Sequence, residues 1–291
     1  MLSKYHLLLL LTSFLWSGSF IVGKVLVNHA SPITLTILRW GLSLLFLLPP
    51  LLYGQKKMVP PRGALWPLFG MGVTGVLLFN VLQFWALAKT TAMNVGLIST
   101  LNPLSIALFA SLFRYDKLRP SQIAAMLLSL AGVILVISKG NLQQLCHLQF
   151  NEGDLWMVAA VSVWGLYSIF TKAAMQYVTP LAATFYSGLF GFLLLLPLAG
   201  PDFAIDQADG AFWGAMLYMS FLSTVLCMFF WNLGVQKVGA TTAGVFLNFN
   251  PIFTAIIAFL LLGEPLTLLQ SAGTVIVVSG CYLFSRFSGK K

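Results

Sequence analysis

The chain of 291 residues is 59% hydrophobic and 8% charged, with a mean hydropathy of +0.91, whereas a soluble domain carries about a quarter charged residues. Seven acids and sixteen bases cannot solubilise a 31.8 kDa chain, which excludes a soluble globular protein and leaves an integral membrane protein. At roughly 20 to 22 residues per span, ten spans leave only about 80 residues for loops and tails, too few for an extramembrane domain.

The apolar runs, separated by short polar or Pro/Gly breaks, predict spans at about 5 to 27, 33 to 53, 64 to 88, 92 to 113, 120 to 138, 154 to 175, 180 to 199, 211 to 236, 242 to 262 and 266 to 286. Each run is continuously apolar without the alternation of a barrel strand, so the expected class is all-α. Met1 to Leu11, with Lys4 before a leucine run, looks like a signal peptide. No small-residue cleavage pattern follows, however, and the run continues to Lys24, so it reads as the first span.

Ten spans put both termini on one side of the membrane. With that side inside, the inner tails, loops and span ends hold Lys4, Lys56, Lys57, Arg62, Arg114, Lys117, Arg119, Lys172, Lys237, Arg286, Lys290 and Lys291. The outer set is Lys24, Lys89 and Lys139, and Arg39 lies within the second span. Twelve against three is a positive-inside bias that places both termini in the cytoplasm. The same bias accounts for the +9 net charge, with bases scattered singly or in threes, better than a nucleic-acid partner does. Cys146, Cys227 and Cys281 form no CxxC pair and read as small hydrophobes, with no disulfide, metal or cofactor role expected.

Sliding the chain against itself by 148 residues, without a gap, gives 25 identities in 143 pairs, where this composition gives roughly 11 by chance. The matches include Trp16 with Trp164, Lys24 with Lys172, Pro32 with Pro180, Pro49 with Pro197, Lys89 with Lys237, and Gly96 with Gly244. Asn102-Pro103 matches Asn250-Pro251, Gln122 matches Gln270, Gly132 matches Gly280, and Asp116 pairs conservatively with Glu264. Shared membrane composition explains leucine matches but not prolines, lysines and a tryptophan in one register. Residues 1–138 and 154–291 are therefore expected to be two five-helix repeats joined by a linker, 139–153. An odd number of spans per repeat inverts the second copy, a device for alternating access.

Pro103 and Pro251 fall near the middle of spans four and nine, where each removes a backbone donor and displaces a carbonyl. Asn102 and Asn250 set an amide beside each kink, and paired Pro-interrupted helices are a sequence pointer to a substrate site. Kinks that only aid packing are the other reading. Further polar and aromatic residues fall in spans one, three, six and eight. The candidate substrate-binding set is Trp16, Lys24, Asn80, Gln83, Trp85, Asn102, Trp164, Tyr167, Tyr218, Asn232, Asn248 and Asn250. Spans two, five, seven and ten are closer to pure aliphatic and Phe, suited to lipid or scaffold contact. Trp66, Trp156 and Trp213 read as interfacial belt residues. Lys24, Lys172 and Arg39 are open to two readings, snorkelling or a charge at the rim of a cavity.

No carboxylate falls in the middle of a span: Asp116 and Glu264 sit at span ends and the other acids are read as loop residues. An exchanger relying on an embedded carboxylate is therefore disfavoured, leaving facilitated export or coupling through His6 or a lysine. There is no Walker A motif, and His6, His29 and His147 are isolated, so no enzyme is expected.

Phe14 to Phe20 (FLWSGSF) with Lys24, and the block from Asn250-Pro-Ile-Phe through Leu262-Gly-Glu-Pro-Leu266 to Gln270, Gly273 and Gly280, resemble the EamA family of the drug/metabolite transporter superfamily. The resemblance covers both halves. It implies ten helices as two inverted five-helix repeats, a central cavity lined chiefly by spans one, three, four, six, eight and nine, and export of amino acids or other small metabolites. The counterpart of Gly263-Glu264 in the first half is Tyr115-Asp116, a departure that keeps the acid and loses the glycine. Expected partners are a small-molecule substrate and membrane lipid, with a monomer as the unit. Multidrug efflux of cationic compounds is the alternative, disfavoured by the lack of an interior carboxylate. A receptor or scaffold is disfavoured by the lack of a soluble domain.

Overall fold

A computed structural model describes residues 4–54, 59–113, 119–137, 151–200, 203–239, 243–244, 246–263 and 267–288. They are almost entirely helical: α1 (Lys4–Leu26), α2 (Pro32–Gly54), α3 (Arg62–Lys89), α4 (Ala92–Leu112), α5 (Pro120–Ile137), α6 (Glu152–Ala174), α7 (Pro180–Leu198), α8 (Gly210–Val238), α9 (Phe246–Leu262) and α10 (Leu268–Ser288). Among the described residues seven helices, α1 to α4 and α6 to α8, are long and apolar enough to cross a membrane. The apolar stretches Pro120–Gly132, Phe246–Leu262 and Leu268–Phe284 are shorter than the spans read there from sequence. Tyr115, Asp116, Glu264 and linker residues 139–150 lie outside the described residues. Glu152 and Asp154 stand in the first turn of α6, not in a loop.

The helices begin where small polar side chains satisfy their first N–H groups. Asn151 accepts from Gly153, Asp209 from Phe212 (2.8 Å), and Thr91 from Asn94. Two repeat matches are explained in the same way. Gln122 Oε1 accepts from the Arg119 N–H (2.8 Å) ahead of α5, and Gln270 Oε1 from the Thr267 N–H (3.1 Å) ahead of α10. Thr267 Oγ1 in turn accepts from Gln270 N–H, completing a capping box. The Gly132 and Gly280 match marks the crossing of α5 and α10. A Cβ on Gly280 would stand 2.8 Å from Ala125 O, and one on Gly132 3.0 Å from Gly273 O. Only bare backbone fits there.

Helix starts at residues 4, 32, 62 and 120 recur 148 positions later at 152, 180, 210 and 268. Irregularities recur too. A π-helical stretch occupies Gly72–Leu78 in α3 and Tyr218–Leu226 in α8, and a 3₁₀ turn precedes each Asn-Pro pair, at Ser99–Leu101 and Phe246–Phe249. The packing follows the same exchange: α3 lies against α6 and α7 as α8 lies against α1 and α2, α4 packs on α6 as α9 packs on α1, and α5 pairs with α10.

The outside of the bundle is apolar, with Leu45, Leu112, Leu127, Leu260, Leu261 and Val275 all well exposed, while Asn, Gln, Ser and Thr side chains fill its interior. That inversion suits a hydrocarbon surround, where polar groups must find partners inside the protein.

Candidate functional site

A cavity lies among α1, α2, α3, α4, α6, α8 and α9. Six sequence candidates line it: Trp16, Asn80, Gln83, Asn102, Trp164 and Asn250. Trp16 and Trp164 meet edge to face at 5.5 Å, with Trp231 5.6 and 5.9 Å from them and Phe79 4.8 Å from Trp164. These rings form an apolar wall.

The π-helical stretches shape the polar part of the site, because an i→i+5 turn displaces carbonyls from the regular ladder. In α8, Trp16 Nε1 donates to Ser223 O (2.9 Å), Ser43 Oγ donates to Ser220 O (3.0 Å), and Thr224 Oγ1 donates to Met219 O (2.8 Å). In α3, the Asn80 amide donates to Gly75 O (2.8 Å) and Val76 O (2.9 Å). Gly75 is the repeat counterpart of Ser223, so Asn80 occupies the acceptor that Trp164 would use. Trp164 Nε1 has no hydrogen-bond partner among the described residues.

The two Asn-Pro asparagines are buried in the cavity wall but are not equivalent. Asn250 is held on three sides. Ser13 Oγ donates to its Oδ1, Ser17 Oγ donates to its carbonyl (3.1 Å), and its own amide donates to Ser99 Oγ (3.5 Å). The counterparts of Ser13 and Ser17 are Val161 and Gly165, which offer no hydroxyl, and Asn102 Oδ1 is buried with no hydrogen-bond partner among the described residues. Pro103 and Pro251 each stand in the first turn of the helix that restarts at the asparagine, so the proline interrupts at a junction already loosened into a 3₁₀ turn.

Other candidates lie behind or away from the cavity. Tyr167 stacks on Trp164 (4.7 Å) with its hydroxyl 3.4 Å from Asn232 Oδ1, and the Asn232 amide donates to Thr184 Oγ1 (2.8 Å). Tyr218 donates to Leu15 O (2.8 Å). Asn248 Oδ1 is buried, lacks a hydrogen-bond partner among the described residues, and lies outside the lining. Trp85 is 38% exposed and pairs with Trp156 (5.1 Å) near the bundle end. Lys24 donates to Leu87 O (2.7 Å) and Thr90 O (2.8 Å), closing the C-terminus of α3.

The lining also includes Arg39 and Trp40 of α2, Phe79 and Gly75 of α3, and Thr224 and Met228 of α8, none of them in the sequence candidate set. Arg39 carried the signal: an ionisable residue in mid-span marks a functional site by default.

Residues 3–138 and 151–286 each match the EamA-like transporter family, and the two matches stand 148 residues apart. The chain belongs to the EamA-like transporter family. It is 29% identical to the uncharacterized transporter YyaM of Bacillus subtilis (strain 168), covering 94% of this chain and 91% of that one. It is 28% identical to a protein of Salmonella typhimurium named as a probable amino-acid metabolite efflux pump, over 96% of this chain and 94% of that one. A solved crystal structure matches 100% of both chains with a TM-score of 0.71 at 19% identity, a likeness of fold. Membership of the family and the apolar helices make the chain a multi-pass membrane transporter.

Proposed function

We propose that this EamA-like transporter exports small polar or amphipathic metabolites, amino acids being the substrate class, across the cytoplasmic membrane. It works as a monomer of ten spans with both termini cytoplasmic, by alternating access between inverted halves 1–138 and 154–291. The observation that carries this reading is the cavity itself, set at the two Asn-Pro junctions and walled by the paired Trp16 and Trp164. The recurrence of helix starts, π-helical stretches and packing partners at a spacing of 148 supports the repeat, and the name of the Salmonella relative supports the substrate class. Among the described residues no carboxylate lines the cavity, which supports facilitated export, or coupling through His6 or a lysine, over an exchanger built on an embedded carboxylate. Aromatic walls also suit a cationic drug, but Arg39 in the same lining would repel one.

In this reading Asn102 touches substrate directly, since its oxygen has no hydrogen-bond partner among the described residues. Asn102→Leu is expected to reduce transport to background in proteoliposomes while leaving monodisperse protein in detergent. Asn250→Leu strips the side-chain acceptor from Ser13 and the amide donor from Ser99, and is expected to lower stability by about 1 to 2 kcal/mol as well. Wild-type transport by Asn102→Leu would remove the proposed site.

A further inference from the structure

Arg39 is 6% exposed within α2, two turns from its start, and its guanidinium is held in place by neutral groups. Nε donates to Thr224 Oγ1 (2.7 Å) and Nη2 to Ser223 Oγ (3.2 Å). The Thr224 hydroxyl proton is already given to Met219 O, so its lone pairs are what face Arg39. The π-helical stretch of α8, by freeing that carbonyl, orients the receptor for the guanidinium. Nη1 has no hydrogen-bond partner among the described residues. The described acids, Glu152, Asp154, Asp206 and Asp209, stand at helix starts or in loops, and none lines the cavity.

A guanidinium stays charged in a protein, and a buried charge without a counterion is strongly unfavourable. Two hydroxyls do not neutralise it. The missing partner is an anion that enters the cavity, and the rest of the lining says which kind. Among the described residues Trp164 Nε1 and Trp40 Nε1 are further donors without a hydrogen-bond partner, and Asn102 Oδ1 is an acceptor without one. The remaining wall is aromatic, from Trp16, Trp40 and Phe79. One cation with few spare donors matches a single carboxylate, bound in the charge-assisted geometry that guanidinium favours. A neutral amide oxygen and ring faces suit an adjacent ammonium group.

We infer that Arg39 is the carboxylate-binding and specificity residue of the transport site, and that the substrates are small zwitterionic or anionic monocarboxylates with an apolar body. This rests on the proposed export function and narrows it. L-leucine and L-phenylalanine satisfy both ends of the site, whereas their carboxamides, L-leucinamide and L-phenylalaninamide, keep shape and ammonium group but present no anion to Arg39.

The test is counterflow of these four labelled probes in proteoliposomes with wild-type protein, Arg39→Lys and Arg39→Gln, each checked for a monodisperse peak. The wild type is expected to move the acids at least about 30-fold faster than the amides. Arg39→Lys is expected to keep part of that rate, and Arg39→Gln to lose at least about 30-fold on the acids with little further loss on the amides. Amides moving as fast as acids in the wild type, a comparison that needs no variant to fold, would overturn the inference and leave the export reading standing. Acid transport by Arg39→Gln within about twofold of wild type would do the same. Movement of none of the four probes by the wild type would instead overturn the amino-acid export reading, and the inference with it.

Discussion

Gly191→Leu is expected to abolish accumulation of folded protein, read as loss of the monodisperse peak after detergent extraction. At this point α7 crosses the π-helical stretch of α3 backbone to backbone. A Cβ on Gly191 would stand 2.7 Å from Gly72 O and run into the Val76 side chain, and one on Gly72 would stand 2.8 Å from Ser187 O and 2.9 Å from Gly191 N. A side chain that meets another side chain can change rotamer, but one that meets a carbonyl forces the helices apart. Overpacking typically costs about 1 to 3 kcal/mol when side chains can adjust, and a leucine against backbone exceeds that range. Small residues let membrane helices approach this closely. At the equivalent crossing of α2 with α8 the pair is Ser43 and Ser220, where Ser43 Oγ donates to Ser220 O (3.0 Å). Gly191→Ala is expected to lower the melting temperature while retaining some folded protein. Gly214→Ala, at a glycine with nothing within 4 Å of the added Cβ, is expected to be neutral. Normal expression of Gly191→Leu would mean that the helices do not cross this tightly.

The spacing of 148 was legible in the sequence because identical roles kept identical residues. Gln122 and Gln270 cap α5 and α10, Gly132 and Gly280 hold those helices together, and Asn102 and Asn250 restart helices after a 3₁₀ turn. What each match does was not legible. A matched glutamine looks the same whether it caps a helix or faces a cavity. Equally hidden was the difference between the asparagines, which depends on Ser13 and Ser17 reaching across from α1 where Val161 and Gly165 cannot. The π-helical stretches have no simple residue signature, so the acceptors offered by Ser220, Ser223 and Met219 could not be assigned to Ser43, Trp16 and Thr224 beforehand. Arg39 was visible as a charge in an otherwise apolar span. The aliphatic character of that span pointed to lipid or scaffold contact, yet Arg39 and Trp40 line the cavity.

A second large effect is expected from Asp154→Ala, at the bundle end where α1 and α3 finish and α4 and α6 begin. Asp154 is 2% exposed, and its Oδ1 accepts from Thr90 Oγ1 (2.7 Å) and the Asn94 amide (3.3 Å). Thr90 also offers its carbonyl to Lys24, Asn94 Oδ1 accepts from the Gln270 amide (3.0 Å), and the Asn151 amide donates to Lys89 O (3.2 Å). Five helices are thereby tied at one end. In sequence the counterparts of Asp154, Thr90 and Asn94 are His6, Val238 and Thr242, so the repeat places no carboxylate at the matching position of the other end. Closure of the Asp154 end, outer in the proposed topology, is thus favoured over its mirror image. Hydrogen bonds to a charged group contribute about 1.5 to 3 kcal/mol each, and about 1.4 kcal/mol is tenfold in an equilibrium. Removing the acceptor should therefore raise the open population at least about tenfold. The reporter is Ser19→Cys, a cavity-lining position, in a chain with Cys146, Cys227 and Cys281 replaced by Ala. Labelling of intact cells by a membrane-impermeant maleimide is expected to rise by that factor in Asp154→Ala. Glu152→Gln serves as the control, because its ion pair with Lys89 (3.8 Å) is well exposed on both sides and such pairs contribute little. Equal labelling of Asp154→Ala and wild type would show that this cluster does not hold the closed state, and a rise confined to inside-out vesicles would reverse the orientation assigned from the basic residues.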